Sequence, residues 1–115
     1  MFIDTQAVLK NVYGDAIQMP GKSSELEDLT LGRVIIEAAL GTYPDEKLKA
    51  SEQHDRYLLA QRFVDCAGLP VQISRTQAEE IKTLVAKRWT QILIGGQAVA
   101  MIDNSPKDIE LKAVN

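Results

Sequence analysis

The strongest constraint on the fold is a glycine pair, Gly95-Gly96, inside the apolar stretch RWTQILIGGQAVAMID (residues 88–103). Glycines that follow an apolar strand can form a loop that holds phosphate. The known loops of this kind need a third glycine at fixed spacing, or a lysine followed by serine or threonine. The stretch GGQAVAM contains neither. The glycine pair therefore does not predict a nucleotide site.

A helix explains the same stretch better, because its apolar and small residues recur with helical spacing. Each glycine in a helix interior costs about 1 kcal/mol relative to alanine. Such a cost is usually offset by a neighbouring backbone that approaches closer than the usual 8–10 Å between helix axes. We expect a helix over residues 91–102, with the neighbouring backbone in the same chain or in a second copy. One predicted face holds Ile92, Gly95, Val99 and Ile102, and Gly95, Ala98 and Ile102 also share a face. The candidate contact residues are Gly95, Gly96, Ala98 and Ile102.

Three further helices are predicted before this one. The first begins at a Thr30 cap and ends at Gly41, which suits a left-handed position. The second covers residues 45–67, or starts later at a Ser51 cap, and Gly68 closes it. The third begins at residues 74–76, where two capping boxes overlap, and bends near residues 90–92. The predicted buried stripes are Leu31, Val34, Ile35, Ala38 and Ala39, then Leu59, Ala60, Phe63, Cys66 and Ala67, and finally Ala78, Ile81, Leu84, Val85 and Trp89.

The N-terminal part predicts a small β-hairpin over residues 6–20, with its turn at YGD. A polar connector, residues 22–28, follows, and LPVQIS (residues 69–74) is expected as a short extended connector. We predict a single domain over residues 1–115, with a helical part at 29–103 and a flexible tail at 104–115. The fold class is mainly α with a small N-terminal hairpin, with four to five short helices in a compact bundle. An isolated hairpin leaves both edges open, which favours pairing with a partner.

Composition narrows the function classes. The 115 residues carry a net charge of −3, without the basic surplus of a protein that binds nucleic acid non-specifically. A single cysteine excludes an internal disulfide and favours a reducing compartment. The start of the chain lacks the pattern of a signal peptide, and no apolar run is long enough for a membrane span. We expect a cytoplasmic protein that does not contact membranes.

The residues that usually carry catalysis have simpler interpretations here. His54 lies in the charged stretch SEQHDR, where a solvated histidine is expected rather than a general base. Cys66 lies on an apolar stripe, where it is expected as a small core residue. One histidine and one cysteine cannot form a zinc site. We therefore expect no enzyme, no metal and no cofactor.

A DNA-binding alternative depends on the third helix. If it is the recognition helix of a helix-turn-helix, then Arg75, Thr76 and Gln77 at its N-terminal end would contact bases. Glu79 and Glu80 follow directly and would repel phosphates. Nucleic-acid binding is thus the less favoured hypothesis, and it stays open.

The chain also resembles small proteins encoded by tailed bacteriophages and prophages. The resemblance covers residues 6–103 and depends on YGDAI, LTLGRVIIEAAL, RYLLAQRFVD, VQIS, AEEIKTLVAKRW and ILIGGQAVAMID in this order. It implies expression in a bacterial cytoplasm and action by binding another macromolecule, and it carries over no catalytic residues. The first hypothesis is therefore an accessory protein that binds a host or phage protein, as a homo-oligomer. A minor virion or tail-assembly component is a further alternative.

Overall fold

Four helices form most of the molecule, as the sequence predicts. A computed structural model describes residues 1–21, 23 and 25–106. The helices are α1 (Leu31–Leu40), α2 (Ala50–Val64), α3 (Arg75–Arg88) and α4 (Ile92–Asp103). Four short strands accompany them: β1 (Phe2–Ile3), β2 (Gln18–Pro20), β3 (Leu26–Asp28) and β4 (Val71–Gln72). The predicted fold class, mainly α with a small β-hairpin, is confirmed.

Two helix starts follow the capping residues in the sequence. Thr30 Oγ1 accepts a hydrogen bond from Arg33 N (3.3 Å) at the start of α1. Ser74 Oγ accepts from Gln77 N (3.1 Å), and the Gln77 side chain accepts from Ser74 N (2.9 Å) at the start of α3. These bonds satisfy N–H groups that have no partner inside the helix. The predicted starts of α1 and α3 are confirmed.

The boundary of α2 differs from the first prediction. The helix begins at Ala50, not Asp45, and its N-cap is Lys49 rather than Ser51. The Glu52 side chain accepts from Lys49 N (3.1 Å). The chain before it is not helical, and this lets Glu46 reach Arg56 (2.8 Å) on α2. The charged stretch DEKLKASEQHDR is therefore non-helical up to Lys49, where Glu46 contacts α2, and helical from Ala50.

Gly41 was expected at a left-handed position after the first helix, and Gly68 was expected to close the second. Gly68 has a φ of +81° in the turn after α2, following Ala67 at +53°. Gly41 has a φ of −69° and is extended, so that prediction is wrong. Its carbonyl oxygen turns instead toward Arg56, whose Nη2 donates to it (2.7 Å).

The predicted hairpin at residues 6–20 is present but is part of a larger β arrangement. Its turn is held by the bond from Asn11 N to Asp15 O (2.8 Å), with Gly14 at a φ of +88°. The predicted polar connector at residues 22–28 is wrong over residues 26–28, where β3 lies and pairs antiparallel with β2. The expected extended connector LPVQIS contains β4, which pairs antiparallel with β1.

A closed ring of backbone hydrogen bonds joins three segments of this β region. Leu9 N donates to Leu29 O (2.9 Å), Leu29 N to Ile17 O (2.7 Å), and Ile17 N to Leu9 O (2.9 Å). Leu9 and Leu29 are fully buried. Residues 8–10 therefore pair within the chain on two sides, which removes the open edge that the isolated hairpin was expected to have there.

The core lies around α1, which packs against the other three helices. All five predicted residues of the α1 stripe are buried, as are those of α3 together with Trp89 just beyond its end. On α2 the stripe ends at Phe63. Cys66 is half-buried, and Ala67 is exposed because the chain has already left the helix.

The end of α4 is fixed to the N-terminal strand. Phe2 N donates to Pro106 O (2.8 Å), and Asn104 N donates to Ala100 O (3.0 Å). Residues 104–106 of the predicted tail thus contact the fold. The remaining part of that prediction, residues 107–115, lies outside the described residues.

Candidate interaction site

The two glycines of α4 have different surroundings. Gly95 is buried, and a Cβ atom there would overlap the backbone carbonyl oxygen of Trp89. Gly96 is exposed, and the nearest atom to a Cβ there is the Ile92 side chain at 3.8 Å, an ordinary contact. The close approach at Gly95 is therefore internal, and its neighbour is the turn before the helix. At Gly96 there is free space.

The predicted contact residues separate in the same way. Ala98 and Ile102 are fully buried beside Gly95, whereas Gly96 lies on the opposite side. The predicted face that included Ile92 is wrong, because the Ile92 side chain is 89% exposed. Helical spacing alone did not distinguish these faces, since nearly every residue of α4 is apolar or small.

The solvent side of α4 is unusually apolar. We define the outer face of α4 as Ile92, Leu93, Gly96, Ala100 and Asp103, all of which are exposed. It carries no charge before Asp103 at its last position. A surface pocket of about 320 Å³ adjoins this face, with Ala86, Trp89, Ile92, Gly96 and Val99 among its lining residues. Helices that are apolar all round are normally buried.

Gln97 joins α4 to the β-hairpin. Its Oε1 accepts from Lys10 N (2.8 Å), and its Nε2 donates to Lys10 O (2.8 Å). The side-chain amide thus pairs with the strand as a neighbouring strand would. This clip brings the hairpin close to the middle of α4. No sequence pattern predicts this clip, because a single glutamine on an apolar helix has no distinctive spacing.

The hairpin tip, residues 11–15, presents two more apolar side chains to solvent. Val12 is 78% and Tyr13 is 87% exposed. The Asn11 side chain accepts from Tyr13 N (2.9 Å) and from Asp15 N (3.1 Å), which fixes the turn. A rigid turn that exposes a tyrosine loses little entropy on binding, and tyrosine is enriched among the residues that dominate protein interfaces.

A second surface pocket, of about 350 Å³, lies at the end of α1. Arg56, only 7% exposed, donates through Nε to Ala39 O (3.0 Å) and through Nη1 to both Glu46 carboxylate oxygens (2.8 and 2.9 Å). Tyr43 OH donates to Ala38 O (2.7 Å), and burial raises the pKa of this hydroxyl. These groups satisfy carbonyls that the end of a helix leaves free. Their chemistry is therefore that of a helix cap.

Nothing in the sequence indicated this cap. Arg56 belongs to the charged run DEKLKASEQHDR, whose composition predicts a solvated helix face. Only the angle between α1 and α2 brings the guanidinium onto the α1 carbonyls, and that angle is set by packing. The hydrogen bond from the Trp89 indole Nε1 to Val34 O (3.1 Å) was likewise not indicated by the sequence, because it depends on how the elements pack.

The remaining candidate residues lie apart from one another. His54 is exposed on α2, and Cys66 Sγ lies 3.3 Å from Phe63 O. Arg75 and Thr76 are exposed at the start of α3, while the Gln77 side chain is engaged in the capping box. Within residues 1–106 as described, no three histidine, cysteine or acidic side chains are grouped to hold a metal ion.

Comparisons with known proteins give no relative from which a role could be transferred. No family model, curated protein or solved structure matches this chain. Among the described helices, none has the length and apolar character needed to cross a membrane.

Proposed function

We propose that this chain is a small accessory protein of a bacteriophage or prophage, which acts in the bacterial cytoplasm by binding a host or phage protein, as a homo-oligomer. The phage origin comes from the sequence resemblance alone. The binding role is supported by one structural observation. Large apolar side chains are almost fully exposed at two rigid places, Tyr13 and Ile92, on segments that the Gln97–Lys10 clip holds together.

The composition of this exposed surface favours a binding role. Single exposed apolar residues are common, but several on adjacent rigid elements are typical of interaction sites. The hairpin tip and the outer face of α4 together expose Val12, Tyr13, Ile92 and Leu93. The charged residues of these two segments, Asp15 and Asp103, lie at their last positions, and charged residues are depleted at the centres of protein interfaces.

The test is affinity capture from the bacterial cells that express the protein, with variants of the hairpin tip. Val12→Ser with Tyr13→Ser removes the apolar side chains and leaves the Asn11 turn intact. Tyr57→Ser is the matched control, because Tyr57 is an exposed tyrosine on α2. We expect a stoichiometric protein partner to co-purify with the wild type and the control but not with the tip variant.

Two other outcomes would overturn the proposal. The same proteins could co-purify with all three forms, or none could co-purify with the wild type. A salt-sensitive complex with duplex DNA that is lost in Arg75→Ala with Gln77→Ala would favour the DNA-binding alternative. Recovery of the protein in purified phage particles would favour the virion alternative.

A further inference from the structure

The outer face of α4 has the spacing of a helix that packs along a second helix. Leu93, Gly96, Ala100 and Asp103 follow one another at intervals of three, four and three residues. This 3–4 alternation keeps one face of a helix against its neighbour along the whole length. The pattern is separate from the buried side of α4, where Ile94, Ala98 and Ile102 pack in the core.

We propose that the outer face of α4 binds a second copy of this chain, with the two α4 helices antiparallel about a two-fold axis. The inference specifies one partner of the proposed function and depends on it. The axis crosses the outer face of α4 at the height of residue 98 along the helix. It places Gly96 against Ala100 of the partner subunit, and Leu93 against Asp103 of the partner subunit. A two-fold interface uses the same patch on both copies, so the patch must complement itself.

The side-chain sizes on this face meet that requirement. Gly96 and Ala100 lie at the centre of the face, where small residues permit the helix axes to approach closely. The free space at Gly96 is therefore available to the Ala100 methyl group of the partner subunit. The larger Ile92 and Leu93 lie at one end of each helix and cover the opposite end of its partner.

Charges distinguish the antiparallel arrangement from a parallel one. Asp103 is the single charged residue of α4, and its Oδ1 accepts from Lys82 Nζ (2.7 Å), which leaves Oδ2 free to accept further bonds. The Gln91 side chain does not cap the N-terminus of α4. An antiparallel pair places each carboxylate near the uncapped N-terminus of the other helix, where negative charge is stabilised. A parallel pair would bring the two carboxylates together.

The first test is the oligomeric state by size-exclusion chromatography with light scattering at about 100 µM, well above a micromolar dissociation constant. We expect a dimer for the wild type, and a two-fold fall in mass for Gly96→Leu, whose Cβ atom meets only the Ile92 side chain at 3.8 Å in the monomer. Leu93→Glu is the second variant, for use if thermal melting shows that Gly96→Leu is unfolded. The Val12→Ser, Tyr13→Ser variant should remain dimeric.

The second test determines the orientation. Gly96→Cys and Ala100→Cys are prepared separately in a Cys66→Ala background, mixed, and oxidised. The antiparallel register predicts that the mixed disulfide exceeds either disulfide between identical chains, because position 96 faces position 100. Mass spectrometry separates the three products. Predominant disulfides between identical positions would contradict the antiparallel arrangement.

A wild type that is monomeric at about 100 µM, or a folded dimer that persists in both Gly96→Leu and Leu93→Glu, would overturn the proposal. These failures are distinguishable from failure of the proposed function. Capture of the heterologous partner depends on the hairpin tip, and its loss in the tip variant would be seen whether or not α4 self-associates.

Discussion

Helices α1 and α4 are similar in length and both are mostly apolar, but their solvent sides differ. On the outer side of α1, Arg33 and Glu37 form an ion pair (2.8 Å), and Arg88 adds a second contact to Glu37 (3.0 Å). The outer face of α4 carries no charge before Asp103. A charged exposed side is well solvated by water. An apolar exposed side is stabilised when another surface covers it, because apolar area is then removed from water.

The two helices also differ in how they are held. Side chains from outside α1 donate to its carbonyls or to the residue after it, namely Trp89, Tyr43 and Arg56. α4 is held by apolar packing, by the fit of Gly95 against the Trp89 carbonyl, and by the Gln97 clip. Polar side chains therefore add to the apolar packing of α1 near its C-terminal end, whereas the Gln97 clip adds to the apolar packing of α4.

Removal of the Arg56 guanidinium should have the largest effect. Arg56→Met leaves the Glu46 carboxylate without its partner and the Ala39 and Gly41 carbonyls without donors. Breaking a buried ion pair on one side costs about 3–5 kcal/mol, a large part of a typical domain stability of about 5–15 kcal/mol. Urea denaturation followed by the fluorescence of Trp89, the single tryptophan, measures the loss.

Arg33→Met is the matched control for this prediction. It removes an arginine of the half-exposed ion pair on α1, for which a cost of below about 1 kcal/mol is expected. If Arg56→Met were no more destabilising than Arg33→Met, the cap would not be what stabilises the end of α1.

The adjacent glycines of α4 provide the second prediction. Gly95→Ala places a methyl group against the Trp89 carbonyl oxygen, and overpacking of this kind costs about 1–3 kcal/mol. Gly96→Ala adds the same methyl group to free space and should stabilise the helix by up to about 1 kcal/mol. Urea denaturation at a dilution where both variants share one oligomeric state gives the two values. Equal effects would show that the two positions do not differ as the packing requires.

The positions of the helices could be predicted from the sequence better than the contacts between the helices and the rest of the fold. Thr30 and the Ser74–Gln77 box act through neighbours three residues away, so local spacing was enough to place α1 and α3. Strand β3 was missed because LED carries no alternation of apolar and polar residues. The roles of Arg56 and Gln97 depend on how whole elements pack, and no local pattern encodes that. The spacing placed Gly95 with Ala98 and Ile102, but also with the exposed Ile92, because α4 has no polar face by which to orient it.

The smallest expected effect concerns the Tyr43 hydroxyl beside α1. Burial holds its pKa above the ordinary 10.0, so the folded state binds this proton more tightly than the unfolded state. The resulting stabilisation is complete below about pH 10 and is lost as the pH rises through the folded-state pKa. Tyr43→Phe cannot show this loss, although it costs about 1 kcal/mol at neutral pH for the missing bond to Ala38 O. Urea midpoints at about pH 8 and about pH 11 should therefore differ less for Tyr43→Phe than for the wild type. Tyr57→Phe should behave as the wild type, because it keeps the Tyr43 hydroxyl. Lysine deprotonation is common to all three proteins and does not contribute to the difference between them. Equal alkaline losses in all three would mean that the cap of α1 holds without this proton.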